Sequence, residues 1–319
     1  MKRAEDRHVP VLFQEVLDSL QLKPGMTVVD CTLGMGGHSE AILRRLGSSG
    51  HLIAFDRDPE ALALAKERLD EACQELGSDA PKVTLIGEAF SNIAKHVAPA
   101  TLDGILADFG VSSLQLDEAR RGFSFRNDGQ LDMRMDTRSG PTAEQVVNEA
   151  DERELANLIY EYGEERRSRR IARAIVRGRP IATTGELAQL VAAAAPAMKQ
   201  EKIHPATRTF QALRIYVNRE LGEISDLLAS APKLLKVGGR LAVISFHSLE
   251  DRIAKDSLRD GAHEGIWDLI SRKPIVATEE EIDRNPRSRS AKLRVAEKTV
   301  PGTAKKYRKK WDEGLGKMR

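Results

Sequence analysis

The chain has 319 residues, with 50 Lys and Arg against 48 Asp and Glu for a net charge of +2, and 41% apolar but only 4% aromatic residues. This balance excludes collagen-like, disulfide-framework and acidic disordered chains and leaves room for about two globular domains. The longest apolar stretch, 190–198, contains Pro196 and falls far short of the ~20 residues that cross a bilayer, and residues 1–7 lead into no signal-peptide core, so the expected address is the cytoplasm.

Short apolar runs alternate with helical periods over the first hundred residues, the pattern of β-α-β units and a parallel sheet. Val28-Val29-Asp30, Leu52-Ile53-Ala54-Phe55, Val83-Thr84-Leu85-Ile86 and Gly104-Ile105-Leu106-Ala107 read as four successive strands. Between the second and third, Asp58 is a helix N-cap with Pro59 at the first helical position. Leu62, Ala65, Leu69, Ala72 and Leu76 follow the helical period, and Gly77 ends it. The next buried strand is 240–246, introduced by the turn Val237-Gly238-Gly239. The intervening stretch far exceeds a βα crossover, so an inserted helical domain is expected there. Thr142 with Gln145 and Thr183 with Glu186 read as capping boxes within it. A single long helix from about Ala206 carries Phe210, Leu213, Val217, Leu221, Ile224 and Leu228. Later, Ala291, Leu293 and Val295 alternate with Lys292 and Arg294, a pattern suited to a sheet edge.

The segment 28–39 runs from a strand into the glycines Gly34, Gly36 and Gly37 and then opens a helix. Such a turn lets a ligand approach the backbone and offers it free N–H groups. Twenty residues after Gly36 comes Asp56, at the tip of the second strand, suited to accept ribose hydroxyls. Both nicotinamide dinucleotides and adenosylmethionine are held in this way. The glycine order, with Asp30 four residues ahead of Gly34, stands closer to the methyltransferase turn, although Thr32 replaces its usual first glycine. Asp108 ends the fourth strand, where open α/β sheets place ligands, and can orient a cofactor or a substrate amine. Cys31 and Cys73 are too few for a framework or a zinc site and lie in no Pro-Cys motif, so two reduced thiols, no metal and no cysteine nucleophile are expected. Direct attack of a nitrogen or oxygen on a sulfonium methyl needs only in-line placement and fits this inventory.

Three further stretches carry alternatives. Residues 121–136 combine Phe123 and Phe125 with arginines, either to stack a base or to anchor a loop in the core. His247, at the end of the 240–246 strand, either touches substrate or is structural. Arg166, Arg170, Arg173 and Arg177 share one helix face, either solvated or facing RNA. The end of the chain, 284–319, holds 13 Lys and Arg against three acids, the footprint of a polyanion partner.

Several motifs together carry a resemblance. Gly34-Met35-Gly36-Gly37-His38-Ser39, Asp108-Phe109-Gly110-Val111-Ser112-Ser113, Leu131-Asp132-Met133-Arg134-Met135, His204-Pro205-Ala206-Thr207-Arg208-Thr209-Phe210-Gln211 and Ser245-Phe246-His247-Ser248-Leu249-Glu250-Asp251-Arg252 occur in this order. With Asn285-Pro286-Arg287-Ser288-Arg289-Ser290 they make the chain similar to the MraW family, the bacterial 16S ribosomal RNA cytosine-N4 methyltransferases, over about residues 8–298. Gln130 replaces an expected proline and Phe109 an expected leucine, both on the substrate side. The resemblance implies an α/β fold: a class I, Rossmann-like methyltransferase domain (1–112 and 219–298) with an inserted helical substrate-recognition domain (113–218), followed by a basic tail (299–319). It implies methyl transfer from S-adenosyl-L-methionine to N4 of a decoding-centre cytidine of 16S rRNA in the small ribosomal subunit, and leaves a homodimer open. It further implies cofactor contacts from Gly36, Gly37, His38, Asp56, Phe90, Asp108 and Gln115, with Asp108 also catalytic. The rival readings are a nicotinamide dehydrogenase and a non-catalytic ribosome-assembly factor.

Overall fold

The computed structural model describes residues 10–196 and 203–300. The described residues divide into two compact units, one of 10–110 with 222–300 and the other of 111–196 with 203–221. The tail 301–319 lies outside the described residues.

The first unit is built on a seven-stranded sheet: β1 (Thr27–Asp30), β2 (His51–Phe55), β3 (Lys82–Ile86), β4 (Leu102–Asp108), β5 (Leu235–Ser245), β6 (Trp267–Leu269) and β7 (Lys292–Lys298). Their spatial order is β3-β2-β1-β4-β5-β7-β6. The first five pair in parallel and β7 runs antiparallel to both neighbours, giving the expected Rossmann-like sheet. Parallel strands need crossovers, and those joining β1 to β4 carry α2 (Gly37–Leu46), α3 (Pro59–Leu76) and α4 (Ile93–His96), while α1 (Phe13–Leu20) precedes β1. Helix α3 forms as its sequence dictates: the Asp58 carboxylate accepts the Glu60 N–H, Pro59 opens the first turn, and Ala61, Ala65, Leu69 and Ala72 are buried. The apolar sides of α1, α2 and α3 form one core with Val28, Leu52, Leu106, Ile244 and Leu293.

The second unit holds α5 (Ser113–Asp117), α6 (Ala143–Glu149), α7 (Glu152–Gly163), α8 (Ser168–Arg177), α9 (Thr184–Ala194) and α10 (Thr207–Asn218). Helix α11 (Glu220–Leu234) leads back to β5, with α12 (Ser248–His263) and α13 (Glu279–Arg284) closing the first unit. Both expected capping boxes, Thr142 with Gln145 and Thr183 with Glu186, are present. The core of this unit includes Leu155, Ile159, Ile171, Ile175, Leu187, Phe210 and Leu213.

Three expectations change. The single helix from Ala206 is two helices, broken at Arg219, whose φ of 51° is left-handed. The Val237-Gly238-Gly239 turn is an irregularity inside β5: Leu102 pairs with Leu235 but Gly104 pairs with Arg240, so β5 accommodates extra residues there. The 292–298 strand is interior, because the short β6 covers its outer side. Arg294 tolerates this position by an ion pair at 2.8 Å with Asp251 of α12.

Candidate active site

The first unit assembles its polar groups at the carboxyl edge of the sheet, where four strand ends and their following loops meet. At β1, Asp30 is buried. Its carboxylate accepts the Ser39 hydroxyl at 2.7 Å and the Thr32 N–H at 3.0 Å. Burial raises the Asp30 pKa, and these two hydrogen bonds oppose the rise. The glycine turn follows. Gly36 caps α2 at φ 77°, a left-handed conformation that side chains resist, and a Cβ on it would lie 3.3 Å from the Ala65 Cβ. A Cβ on Gly37 would come within 2.5 Å of the Pro10 ring, so Pro10 and Ala65 can pack this closely on α2's first turn only because both positions are glycine.

Asp56, after β2, uses both carboxylate oxygens: Oδ2 accepts the Gly34 N–H at 2.8 Å and Oδ1 the Asp58 N–H at 2.8 Å. Each oxygen keeps a second lone pair, so the group still has acceptor capacity while it ties the glycine turn to β2. Burial pushes its pKa up to about 6 despite these bonds. Asp58 is the α3 cap, as its spacing indicated.

Asp108 ends β4. Its own N–H donates to Thr32 Oγ1 at 2.7 Å, which pins the strand end to the glycine turn. Its side chain is 24% exposed, yet Oδ1 is buried and meets no hydrogen-bond partner among the described residues. Burial raises its pKa well above the usual carboxylate range, and the charges of Asp30 and Glu250 add to the rise. His38 Nε2 stands 3.8 Å from Asp108 Oδ2, beyond hydrogen-bond reach, and Phe13 stacks on its ring with centroids 6.1 Å apart. Burial lowers the His38 pKa to about 4, so the imidazole is neutral at pH 7. Phe90 follows β3 and lies against Phe109, centroids 6.1 Å apart, while Gly110 takes φ 106° beside the Phe246 ring.

Gly36, Gly37, His38, Asp56, Phe90 and Asp108 therefore all lie in one unit at ends of the same sheet. Gln115 belongs to the second unit. There its N–H and side-chain oxygen form a capping box with Ser112 at the start of α5. Thr32 was legible only as a departure from glycine, and its use as an acceptor for Asp108 was not. His247 turns out to be a cap: its Nδ1 accepts the Glu250 N–H at the start of α12, and the buried Glu250 carboxylate accepts the Phe246 N–H at 2.7 Å. Phe123 and Phe125 anchor their loop. Phe123 is buried, and Phe125 meets Phe210 edge-on at 4.8 Å and His204 at 4.7 Å. Beside them, the buried Arg121 donates to the Arg134 and Met135 carbonyls. Both cysteines are free, and burial pushes the Cys31 thiol well up, so it is no nucleophile at neutral pH.

No helix among the described residues is long and apolar enough to cross a membrane. The model of the MraW methylase family matches residues 5–299. A protein of Acidobacterium capsulatum named ribosomal RNA small subunit methyltransferase H is 67% identical over 293 residues, covering 92% of this chain and 99% of that one. Proteins of the same name from Koribacter versatilis and a Nostoc species are 60% and 50% identical, covering 91% of this chain and 93% and 92% of theirs. With a family match over residues 5–299 and relatives up to 67% identical over nearly its whole length, the chain, whose glycine turn, Asp56 and Asp108 lie at one sheet edge, belongs to the MraW methylase family.

Proposed function

We propose that this chain methylates N4 of a decoding-centre cytidine in 16S ribosomal RNA, with S-adenosyl-L-methionine as methyl donor. The observation that carries the reading is the set of groups at the sheet edge: a glycine turn at the start of α2, an Asp56 with acceptor capacity left over, and an Asp108 oxygen with no partner among the described residues. These fit the cofactor. Asp56 would accept its ribose hydroxyls, Gly36 and Gly37 would pass its methionine end, and Phe90 would lie near its adenine. Bound there, S-adenosylmethionine supplies an electrophilic methyl group on a sulfonium sulfur.

The residues of the chain supply placement. Asp108 Oδ1 accepts a hydrogen from the cytosine N4 amine and so aims the nitrogen lone pair along the line of transfer. The raised basicity of this carboxylate suits it to hold the amine's proton, which leaves after the methyl has arrived. The neutral, aromatic-stacked His38 closes the floor beneath Asp108 without adding a positive charge that would repel a sulfonium. The unit of 111–221 is the RNA-recognition part, holding a base that must leave its stack to reach such a site. A cytoplasmic address follows from that substrate.

The test is incubation of the purified protein with labelled cofactor and unmodified small ribosomal subunits, followed by nucleoside mass spectrometry. N4-methylcytidine at one decoding-centre position is expected. Cofactor binding without label in subunits or free 16S RNA would defeat the reading in favour of an assembly factor.

A further inference from the structure

Seven arginines lie between residues 166 and 179, and the fold sorts them into two kinds. Arg167 donates to the buried Glu165 carboxylate at 2.9 Å and to the Pro196 carbonyl at 2.8 Å. Arg179 donates to the Val147 carbonyl at 2.7 Å and to that of Ala150. Both are therefore structural links within the helical unit. Arg173 has an ion pair with Glu152 at 3.3 Å. By contrast, Arg166, Arg169, Arg170 and Arg177 are exposed, and no acid pairs with them among the described residues.

Their placement is directional. At 3.6 residues per turn, Arg169, Arg170, Arg173 and Arg177 fall within an arc of about 100° on α8, over about 12 Å of its length. Ile171, Ala172 and Ile175 occupy the opposite side and are buried. Arg166 lies two residues before the helix, next to its N-cap Arg167, so its charge sits at the N-terminal end. A solvated helix in a protein of net charge +2 ordinarily mixes its signs or pairs them at i,i+4. Here four guanidiniums sit unpaired beside one another, which costs repulsion unless a polyanion covers them. A guanidinium is a fork suited to two phosphate oxygens.

We propose that this stripe on α8 is a phosphate-binding face for the RNA strand flanking the target base. The proposal rests on the RNA methyltransferase reading above and names a surface by which the substrate is held. With one phosphate per ~3.4 Å of rise along a strand, a 12 Å stripe spans roughly three or four phosphates. Such contacts position the strand and carry no sequence information, leaving the choice of base to the active site.

The test changes Arg166, Arg169, Arg170 and Arg177 together to Gln, and in a second variant to Lys. Affinity of the full chain for small subunits and for 16S RNA is then measured across a salt series, alongside steady-state methylation. For the Gln variant, the slope of log affinity against log salt is expected to fall by about three and the affinity near 0.15 M salt to drop at least about tenfold. Its KM for RNA rises, while kcat at saturating RNA and the affinity for S-adenosylhomocysteine stay as in wild type. The Lys variant keeps the wild-type slope, because charge rather than shape sets counterion release. A Gln variant with wild-type slope and KM overturns the proposal while wild-type methylation upholds the parent reading. A wild-type chain that neither binds nor methylates RNA overturns both.

Discussion

Asp108 has an atypical protein environment for a carboxylate: Oδ1 is buried and meets no protein donor, and its pKa is raised by burial and by two neighbouring acids. A carboxyl whose folded pKa is raised contributes its stability at low pH and loses it as pH rises through that pKa. Asp108→Asn removes the charge and breaks no side-chain hydrogen bond. In calorimetry at pH 8 the ligand-free variant is therefore expected to melt higher than wild type, by about 1 kcal/mol or roughly 2–4 °C, with the gap closing toward acid pH. Methylation by the same variant should fall by orders of magnitude. A lower melting temperature would show that the carboxylate stabilises the folded chain, contrary to its geometry. Thr32 makes the complementary case, since its hydroxyl accepts the Asp108 N–H at 2.7 Å. Thr32→Val strands that N–H and should cost about 1–3 kcal/mol by chemical denaturation, while Thr32→Ser restores it. Equal losses for Val and Ser would instead assign the effect to packing. The sequence displayed Thr32 as a missing glycine, because a partner 76 residues away leaves no local spacing signal.

Helices and strands were legible where their ends carry chemistry of their own. Helix α3 announces itself through Asp58, Pro59 and Gly77, and the capping boxes of α6 and α9 through Thr and an amide or acid three residues on. The break between α10 and α11 had no such mark, because apolar residues keep the helical period across it and Arg219 is an ordinary helix former. The left-handed Arg219 closes α10 through its N–H, which reaches the Ile215 and Tyr216 carbonyls. Glycine would adopt this conformation without the Cβ penalty. Arg219→Gly is thus expected to raise stability by about 0.5–1 kcal/mol in urea unfolding, and Arg219→Val to lower it by at least as much. The opposite order would mean that the arginine side chain, not the backbone turn, secures the junction. Strand β6 escaped for a different reason: three residues are too short for a period, and its Trp267 is held by packing on Gly261, where a Cβ would meet the indole at 2.5 Å. Missing β6 is what moved β7 to the edge in the sequence reading.

At the scale of the whole molecule, the acid response includes two groups at the sheet edge that act in opposite directions, His38 and Asp56. His38, lowered from 6.5 to about 4, adds stability that is present above pH 6.5 and lost as pH falls toward 4. Asp56, raised from 3.8 to about 6, adds stability that is present below pH 3.8 and lost as pH rises toward 6. Each is worth on the order of 3 kcal/mol, so between about pH 4 and 6 these two contributions largely offset each other in the ligand-free chain. The sequence named both residues as candidates for the site but not this opposition, because burial, which sets both shifts, is a property of the folded interior. On the proposed function, ligand binding would break the balance: ribose hydroxyls donated to Asp56 would favour its ionised form, so the loaded site would take up a proton less readily. The stabilisation by S-adenosylhomocysteine, read as the rise in melting temperature at fixed ligand, should therefore be full at pH 7.5 and shrink steadily below pH 6. Asp56→Asn should flatten that dependence along with weakening the binding. A ligand-induced rise independent of pH from 7.5 to 5 would remove Asp56 from the ribose site, whatever the activity of the chain.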